Sequence, residues 1–291
     1  MSQNLSFPMP DPARVVAVIP ARLASTRLPR KVLREVNGQP LLAWVVQAAL
    51  QFREIGRVVV AADSEEVAAL CAAHGWDCQM TSPELPSGTD RLFAVSREID
   101  ADVYINVQAD EPLIGKVHIR ALLGLFTNPS VSVTTLKVLC PEESVADPNV
   151  VKVVTAKDGR ALYFSRAAIP FNRDGQPTEY WKHLGLYAYR KQALERFATL
   201  APGKLEQIER LEQLRLLEND IDIHVAQTFF DTIGVDTEED LQRVDAFLRD
   251  GNLPGIAYSP GTGYWRYFRQ SDGVDTDRDA PVATLRPDLG E

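Results

Sequence analysis

Cysteine is scarce. The 291 residues hold three, Cys71, Cys78 and Cys140, with no CxxC pair. An odd, sparse set is no disulfide framework and fits reduced structural thiols in a cytoplasmic protein. Positive charge is also short: 31 Lys and Arg stand against 40 Asp and Glu, a formal net charge of −9. That balance weighs against a general nucleic-acid binder. No apolar run approaches the ~20 residues needed to cross a bilayer. The start, MSQNLSFPMPDPAR, lacks a charged region followed by an apolar one, so no secretory signal is expected. There is no internal repeat. Neither GxxxxGK[ST] nor GxGxxG occurs, which removes the P-loop and disfavours a Rossmann dinucleotide site.

What is present is a hydrophobic fraction of 45%, enough for a sizeable core. The length suggests one large domain, or one with a small appendage. After a polar leader, VVAVI (15–19) reads as a buried strand and RVVVAAD (57–63) as a second. Between them PLLAWVVQAALQFR (40–53) reads as a helix with Pro40 in its first turn. SEEVAALCAAHG predicts a helix from Ser64 to Gly75, DCQM a short strand, SGTDRLFAVSREI a loop into a helix, and DVYINVQ (102–108) another strand. This alternation predicts an α/β fold with a predominantly parallel or mixed sheet flanked by helices. VSVTTLKVL, NVVKVVT, ALYFS and HLGLYAYR are strand-like with fewer helices between them, which predicts an inserted smaller β-rich subdomain. Helices resume at 191–200, 204–218 and 237–249. Residues 14–250 form the expected domain; 251–291, rich in Gly, Pro and aromatics, read as a C-terminal extension that packs locally or serves an oligomer.

Ligands of open α/β sheets sit beyond the C-terminal ends of strands. Three polar stretches follow strands here: 20–31, 81–91 and 108–112. The first, within VIPARLASTRLPRK, crowds Arg22, Arg27, Arg30 and Lys31 into ten positions. Such a loop suits a polyphosphate; otherwise it is a solvated surface loop. NVQADEP puts Asp110 and Glu111 just past a buried strand, where a carboxylate can hold Mg²⁺ against phosphate, or simply close a turn. TIGVDTEEDL offers Asp236, although Asp236 or Thr237 could equally cap the last helix. At helical spacing Glu212 shares a face with Leu205, Ile208 and Leu216, so its carboxylate needs a ligand or an ion-pair partner.

The stretches IPARLASTRLPRK, SGTDRL, NVQADEP, DPNVVKVV, ALYFSRAAIP, KHLGLYAYR, LEQIERLEQLR and GVDTEEDL resemble, in order and spacing, those of 3-deoxy-manno-octulosonate cytidylyltransferases over roughly residues 14–249. The resemblance implies a nucleotide-sugar transferase-like fold and transfer from CTP to a sugar acid, giving a CMP-sugar for lipopolysaccharide and pyrophosphate. It implies a cytoplasmic homodimer with Mg²⁺ held by Asp110 and Asp236. It places Pro20, Ala21, Arg22, Ser25, Arg27, Lys31, Ser87, Gly88, Thr89 and Arg91 around CTP, with Arg22, Lys31 and Asp110 catalytic. It places Gln108, Arg166, His183, Tyr187, Glu212 and Gln213 around the sugar acid; His183 could otherwise be a satisfied core histidine.

The chain departs from the family pattern at Arg30 and Ala109, where glycine is usual, at Gln207, where histidine is common, and in its longer tail. A cytidylyltransferase for a related ulosonic acid, such as the 8-amino relative, and a catalytically silent nucleotide-binding paralogue are the alternatives.

Overall fold

The computed structural model describes residues 8–25 and 27–249, with the backbone of 257–258 and 265–266. The first strand, β1 (Val15–Ala21), is buried at all seven positions. Its side chains divide by the two-residue period of a strand. Val15, Ala17, Ile19 and Ala21 face one apolar layer, and Val16 and Val18 face the other. A strand covered on both sides needs a continuous apolar sequence, which VVAVI supplies.

A short ribbon of β2 (Glu35–Val36) and β3 (Gln39–Pro40) leads into α1 (Leu41–Leu50). Pro40 stands at the N-cap, one residue outside the helix, and pairs with Glu35. Then come β4 (Arg57–Ala62), α2 (Glu65–His74), β5 (Cys78–Met80), α3 (Gly88–Ser96) and β6 (Val103–Asn106). The limits of α2 follow from its ends: the Ser64 hydroxyl accepts from the Val67 N–H, and Gly75 closes the helix at φ 68°. The rest of the chain forms α4 (Lys116–Gly124), β7 (Val133–Leu139), β8 (Lys152–Thr155), β9 (Ala161–Ser165), β10 (Trp181–Arg190), α5 (Lys191–Ala198), α6 (Lys204–Glu209), α7 (Leu214–Leu217), β11 (Ile223–Gln227) and α8 (Glu238–Arg249).

The strand order is β11-β7-β10-β6-β1-β4-β5. Strand β1 runs parallel to β4 and β6, and β10 runs antiparallel to β6 and β7. Helices α1, α2 and α4 cover one face, and α3, α5 and α7 the other. A third, smaller core joins Leu28 of the basic loop and Leu113 to Val235 and to Leu241, Val244 and Leu248 of α8. Each of those three helix side chains contributes about 1.5–3 kcal/mol by leaving water, so α8 holds down both loops that flank the strand ends.

Two expectations are corrected. The β-rich subdomain is smaller than expected, because β7 and β10 belong to the main sheet. Of these four strands only β8 and β9 branch off its main path, and β8 meets β10 at a single pair, Lys182 with Lys152. Strand β10 is ten residues long and shifts register between Leu184 and Tyr187, which lets one strand serve both parts. The helix expected over 204–218 breaks at Arg210, which adopts a left-handed conformation (φ 54°). Glu212 therefore lies in the turn between α6 and α7, not on a stripe with Leu205 and Ile208, which are exposed.

The described part of the extension comprises β12 (Ala257–Tyr258) and β13 (Trp265–Arg266), paired antiparallel with each other. The rest of 251–291 lies outside the described residues.

Candidate active site

Strand β6 pairs with β1 only as far as Val18, so Pro20 and Ala21 run on without β6 beside them. Proline lacks an N–H for a sheet ladder, and Pro20 sits where the ladder on one side has ended. Here the connections of β1 and β6 leave in opposite directions, and a crevice opens. It continues across β10 as a cleft of about 1210 Å³.

Three loop segments meet at its mouth. Lys31 Nζ donates to Asp110 Oδ2 at 2.5 Å and to Asp236 Oδ1 at 3.0 Å. Arg27 reaches the same Asp236 oxygen at 3.1 Å. Residues separated by 79 and 205 positions thus share one ammonium. The segment carrying Asp236 is fixed by the Val235 N–H, which donates to the Asp110 carbonyl at 2.8 Å. Burial alone would lower the Lys31 pKa; the two carboxylates outweigh it and hold the ammonium above its ordinary range. Lys31 is a fixed positive charge at neutral pH.

The alternatives for Asp236 separate cleanly. Thr237 caps α8: its hydroxyl accepts from the Asp240 N–H at 3.2 Å, and Asp240 Oδ2 accepts from the Thr237 N–H at 3.0 Å. The Asp236 carboxylate takes no part and faces the cations. Asp110 and Asp236 remain 30% and 44% exposed, so both can meet a solvated ion. No cluster of three or more His, Cys, Asp or Glu suited to a metal occurs among the described residues. One or two carboxylates with water suit Mg²⁺, which keeps much of its hydration shell.

The basic loop is held at its base by Asp63, at the end of β4, whose Oδ1 accepts from the Leu23 N–H at 3.1 Å. Asp63 also lies 3.5 Å from Arg91. Arg91 is fully buried and donates to Thr81 Oγ1 at 2.7 Å and the Ser82 carbonyl at 3.0 Å. Burial lowers its pKa. Arg91 thus ties α3 to the loop before it. Arg22 Nη1 lies 3.4 Å from the Pro86 carbonyl, and the Ser25 hydroxyl accepts from the Leu28 N–H at 3.4 Å. Ser87 caps α3. A Cβ on Gly88 would stand 3.4 Å from both Pro20 and Asn106, an ordinary contact, so Gly88 lies against both strand ends.

Of the residues expected around the sugar acid, Gln108, His183, Tyr187, Glu212 and Gln213 all line the cleft, and Thr89 and Arg27 of the set expected around CTP line it too. Thr89 donates a hydrogen bond to Glu212, which supplies the partner this carboxylate needs. Burial still raises the Glu212 pKa. His183 Nε2 lies 3.0 Å from Thr135 Oγ1, and desolvation brings its pKa down to about 3, so the ring is neutral. It is both a satisfied core histidine and a cleft residue. Arg166 stands outside the cleft lining; its guanidinium donates to the carbonyls of Glu209 and Pro148, each at 2.9 Å.

Several cleft residues escaped the sequence reading. Asn106, at the end of β6, is buried with Oδ1 unpartnered. Glu111, which the sequence placed beside Asp110, is half-buried with Oε2 unpartnered, and desolvation pushes its pKa up to about 7. Lys182 Nζ meets both oxygens of Asp231, at 2.8 and 3.0 Å. Asn106 had a usable signal: a polar residue ending an apolar strand needs a partner or a ligand. The Lys182–Asp231 pair had none, because its members are 49 residues apart.

The cytidylyltransferase family profile matches residues 16–223. A 3-deoxy-manno-octulosonate cytidylyltransferase from Acidobacterium capsulatum is 59% identical over 235 residues, covering 80% of this chain and 96% of the relative. The chain belongs to the 3-deoxy-manno-octulosonate cytidylyltransferase family. The enzyme of that name from Koribacter versatilis is 52% identical and covers 84% of this cytidylyltransferase and 97% of itself. A solved CMP:2-keto-3-deoxy-manno-octonic acid synthetase complexed with CTP superposes with a TM-score of 0.79 at 40% identity, over 82% of this chain and 99% of that one. A Bacillus anthracis structure described as a glucose-1-phosphate thymidylyltransferase, at 16% identity and a TM-score of 0.61, shares the fold of this cytidylyltransferase.

Proposed function

We propose that this chain transfers the cytidylyl group of CTP to the anomeric hydroxyl of 3-deoxy-manno-octulosonate, giving the CMP-sugar and pyrophosphate for lipopolysaccharide synthesis. The observation that carries the reading is the meeting of Lys31, Asp110 and Asp236 at the mouth of a cleft between a cationic loop and a pocket of hydrogen-bonding groups. Both substrates are anions, so the chemistry needs charge compensation and alignment more than covalent help.

In this reading the sugar hydroxyl attacks the α-phosphorus. The new oxygen–phosphorus bond forms as the bond to the α,β-bridging oxygen breaks. Its electron pair leaves with pyrophosphate, and the hydroxyl proton passes to water. Arg22, Arg27 and Lys31, with the Ser25 hydroxyl, hold the phosphates, and Lys31 offsets charge on the leaving group. Pro20, Ala21, Ser87, Gly88 and Thr89 shape the cytidine side, and Arg91 keeps that wall in place. Gln108, Tyr187, Glu212 and Gln213 take sugar hydroxyls, with neutral His183 among them; Arg166 shapes the pocket by holding its rim. Asp110 and Asp236 would hold Mg²⁺, which supplies charge compensation and Lewis-acid polarisation of phosphate oxygens.

Self-association into a homodimer is part of this proposal. Phe171 is 86% exposed and Ile208 67%, and Leu162 adds a third exposed apolar side chain. The elements of Leu162 and Ile208 adjoin, since Glu209 beside Ile208 accepts from Ser165 and from the Arg166 N–H. Apolar area of this kind favours a partner surface. No helix among the described residues is long and apolar enough to cross a membrane; cytoplasmic residence is proposed from the free cysteines.

The test is pyrophosphate release across a panel of ulosonic acids, including the 8-amino relative, with CTP and other nucleoside triphosphates. The reading expects CTP and 3-deoxy-manno-octulosonate to give the highest kcat/KM. A higher value for another acid reassigns the substrate, and no release from any pair defeats the assignment as an enzyme.

A further inference from the structure

The stretch DPNVVKVV (147–154) has no part in the scheme above, yet it carries an unusual group. Lys152, the first residue of β8, is fully buried. No carboxylate among the described residues lies within ion-pair distance of it. Its three N–H donors go to carbonyl oxygens instead: Asp147 at 2.9 Å, Val150 at 2.5 Å and Arg166 at 2.7 Å. A buried cation without a counter-charge is costly unless every proton is hydrogen-bonded, and here all three are.

Two of those acceptors belong to the loop 147–151, whose Asp147, Asn149, Val150 and Val151 line the cleft. The third belongs to Arg166, which sends Nη1 back to the Pro148 carbonyl of the same loop at 2.9 Å. The far end is tied to the sugar-acid side, because the Val151 carbonyl accepts from the His183 N–H at 2.8 Å. The loop has no helix or ladder of its own before β8; a local turn, in which the Asn149 N–H donates to Asp147 Oδ1 at 2.8 Å and the Val150 N–H to the Asp147 carbonyl at 3.2 Å, acts with these ties to set its shape. The C=O and N–H of a trans peptide point in opposite directions. Gathering the Val150 carbonyl onto Lys152 therefore turns the Val151 N–H away from the ammonium, an arrangement suited to an acid substrate.

We propose that Lys152 is a positioning residue for the sugar-acid half of the reaction: it fixes the 147–151 wall of the cleft against which the acid is oriented. The proposal rests on the cytidylyltransferase reading above. It explains why a costly buried ammonium stands behind this loop and also binds the Arg166 carbonyl, 14 residues further along the chain, at 2.7 Å.

The test uses the full chain with K152M and K152R, measuring the KM for CTP and for 3-deoxy-manno-octulosonate separately, with thermal melting and backbone hydrogen exchange. K152M is expected to raise the sugar-acid KM tenfold or more while the CTP KM stays within twofold. K152R, which keeps the cation but not the reach, falls between. Exchange at 147–151 quickens in K152M. In the wild type, CMP with the sugar acid slows exchange at 147–151, an arm that needs no variant and stands even where K152M fails to fold. An unchanged sugar-acid KM, equal rises in both KM values with a lower melting temperature, or wild-type exchange insensitive to the sugar acid would each overturn the proposal. Wild-type turnover is the control. With it intact these results bear on Lys152 alone; without it the cytidylyltransferase reading fails and this proposal with it.

Discussion

Thr237 and Asp236 are adjacent and do different things: the first caps α8 with Asp240, and the second faces Lys31 and Arg27. Asp236→Asn should therefore lower kcat by about 10²-fold, or ~2.7 kcal/mol, with little change in melting temperature, and Asp110→Asn should do the same. Thr237→Ala should instead cost ~1 kcal/mol of stability. Steady-state kinetics over a Mg²⁺ titration, paired with melting, checks both; near-normal turnover of Asp236→Asn with unchanged Mg²⁺ dependence would return Asp236 to a structural role. Lys31, Asp110 and Asp236 were legible in the sequence because each follows a strand or precedes a helix in a polar run. Their shared bond was not, because convergence across 205 positions is a property of the sheet order. His183 gives a pH prediction. Its folded pKa of about 3 lies below the ordinary value of 6.5. The unfolded chain then binds the proton first, so the stability is full above ~6.5 and drains as pH falls, by up to ~1.4 kcal/mol per unit. Buried His118 is shifted in the same direction. Denaturant midpoints of His183→Gln should fall less steeply than wild type between pH 6.5 and 5; parallel curves would contradict the assignment.

Among the elements, those with end signals were readable and those made by a break were not. Ser64 and Gly75 delimit α2, and Ser87 opens α3, because each side chain or backbone conformation satisfies an otherwise orphaned group. The break at Arg210 carries no such mark. LEQIERLEQLR is periodic throughout, but the left-handed residue, followed by burial of Leu211, turns the chain toward β9 and the cleft. Arg30 belongs to the same class. It stands at φ 56°, ψ 32°, immediately before the single turn that carries Lys31, and its guanidinium pairs with Glu66. The glycine usual in the family would hold this conformation without the ~1–2 kcal/mol that a side chain costs there. Ala109 is not among the positive-φ residues, so the second departure from glycine demands nothing of the backbone. Arg30→Gly should accordingly leave the fold as stable or more so and keep turnover, with a modest rise in the KM for CTP from one lost cation. Melting and CTP saturation curves check this; complete loss of activity would show that the Arg30 side chain is needed.

At the scale of the molecule, the alternation of buried strands and helices up to β6 made the parallel half of the sheet predictable. The second half was harder because β10 serves two neighbours along the main path of the sheet and a third strand, β8, that branches from it. No periodicity distinguishes a long strand shared this way from the strands of a separate subdomain. The site is complete once α8 is in place, since this helix seals Leu28 and Leu113 against Val235 and so carries Asp236 to Lys31. The relatives bear on what lies beyond. Matches to the Acidobacterium and Koribacter enzymes cover 96% and 97% of those proteins yet only 80% and 84% of this chain. A chain ending near Asp250 keeps the strand ends, the cleft and α8. It should retain kcat within about an order of magnitude, or ~1.4 kcal/mol, with unchanged KM values for CTP and the sugar acid. A cut before Val235 should instead abolish turnover, because it removes Asp236 and strips the third core. Comparing the two truncations separates the extension from α8. If the chain ending near Asp250 folds and melts as the full chain does but releases no pyrophosphate, residues 251–291 contribute to the chemistry.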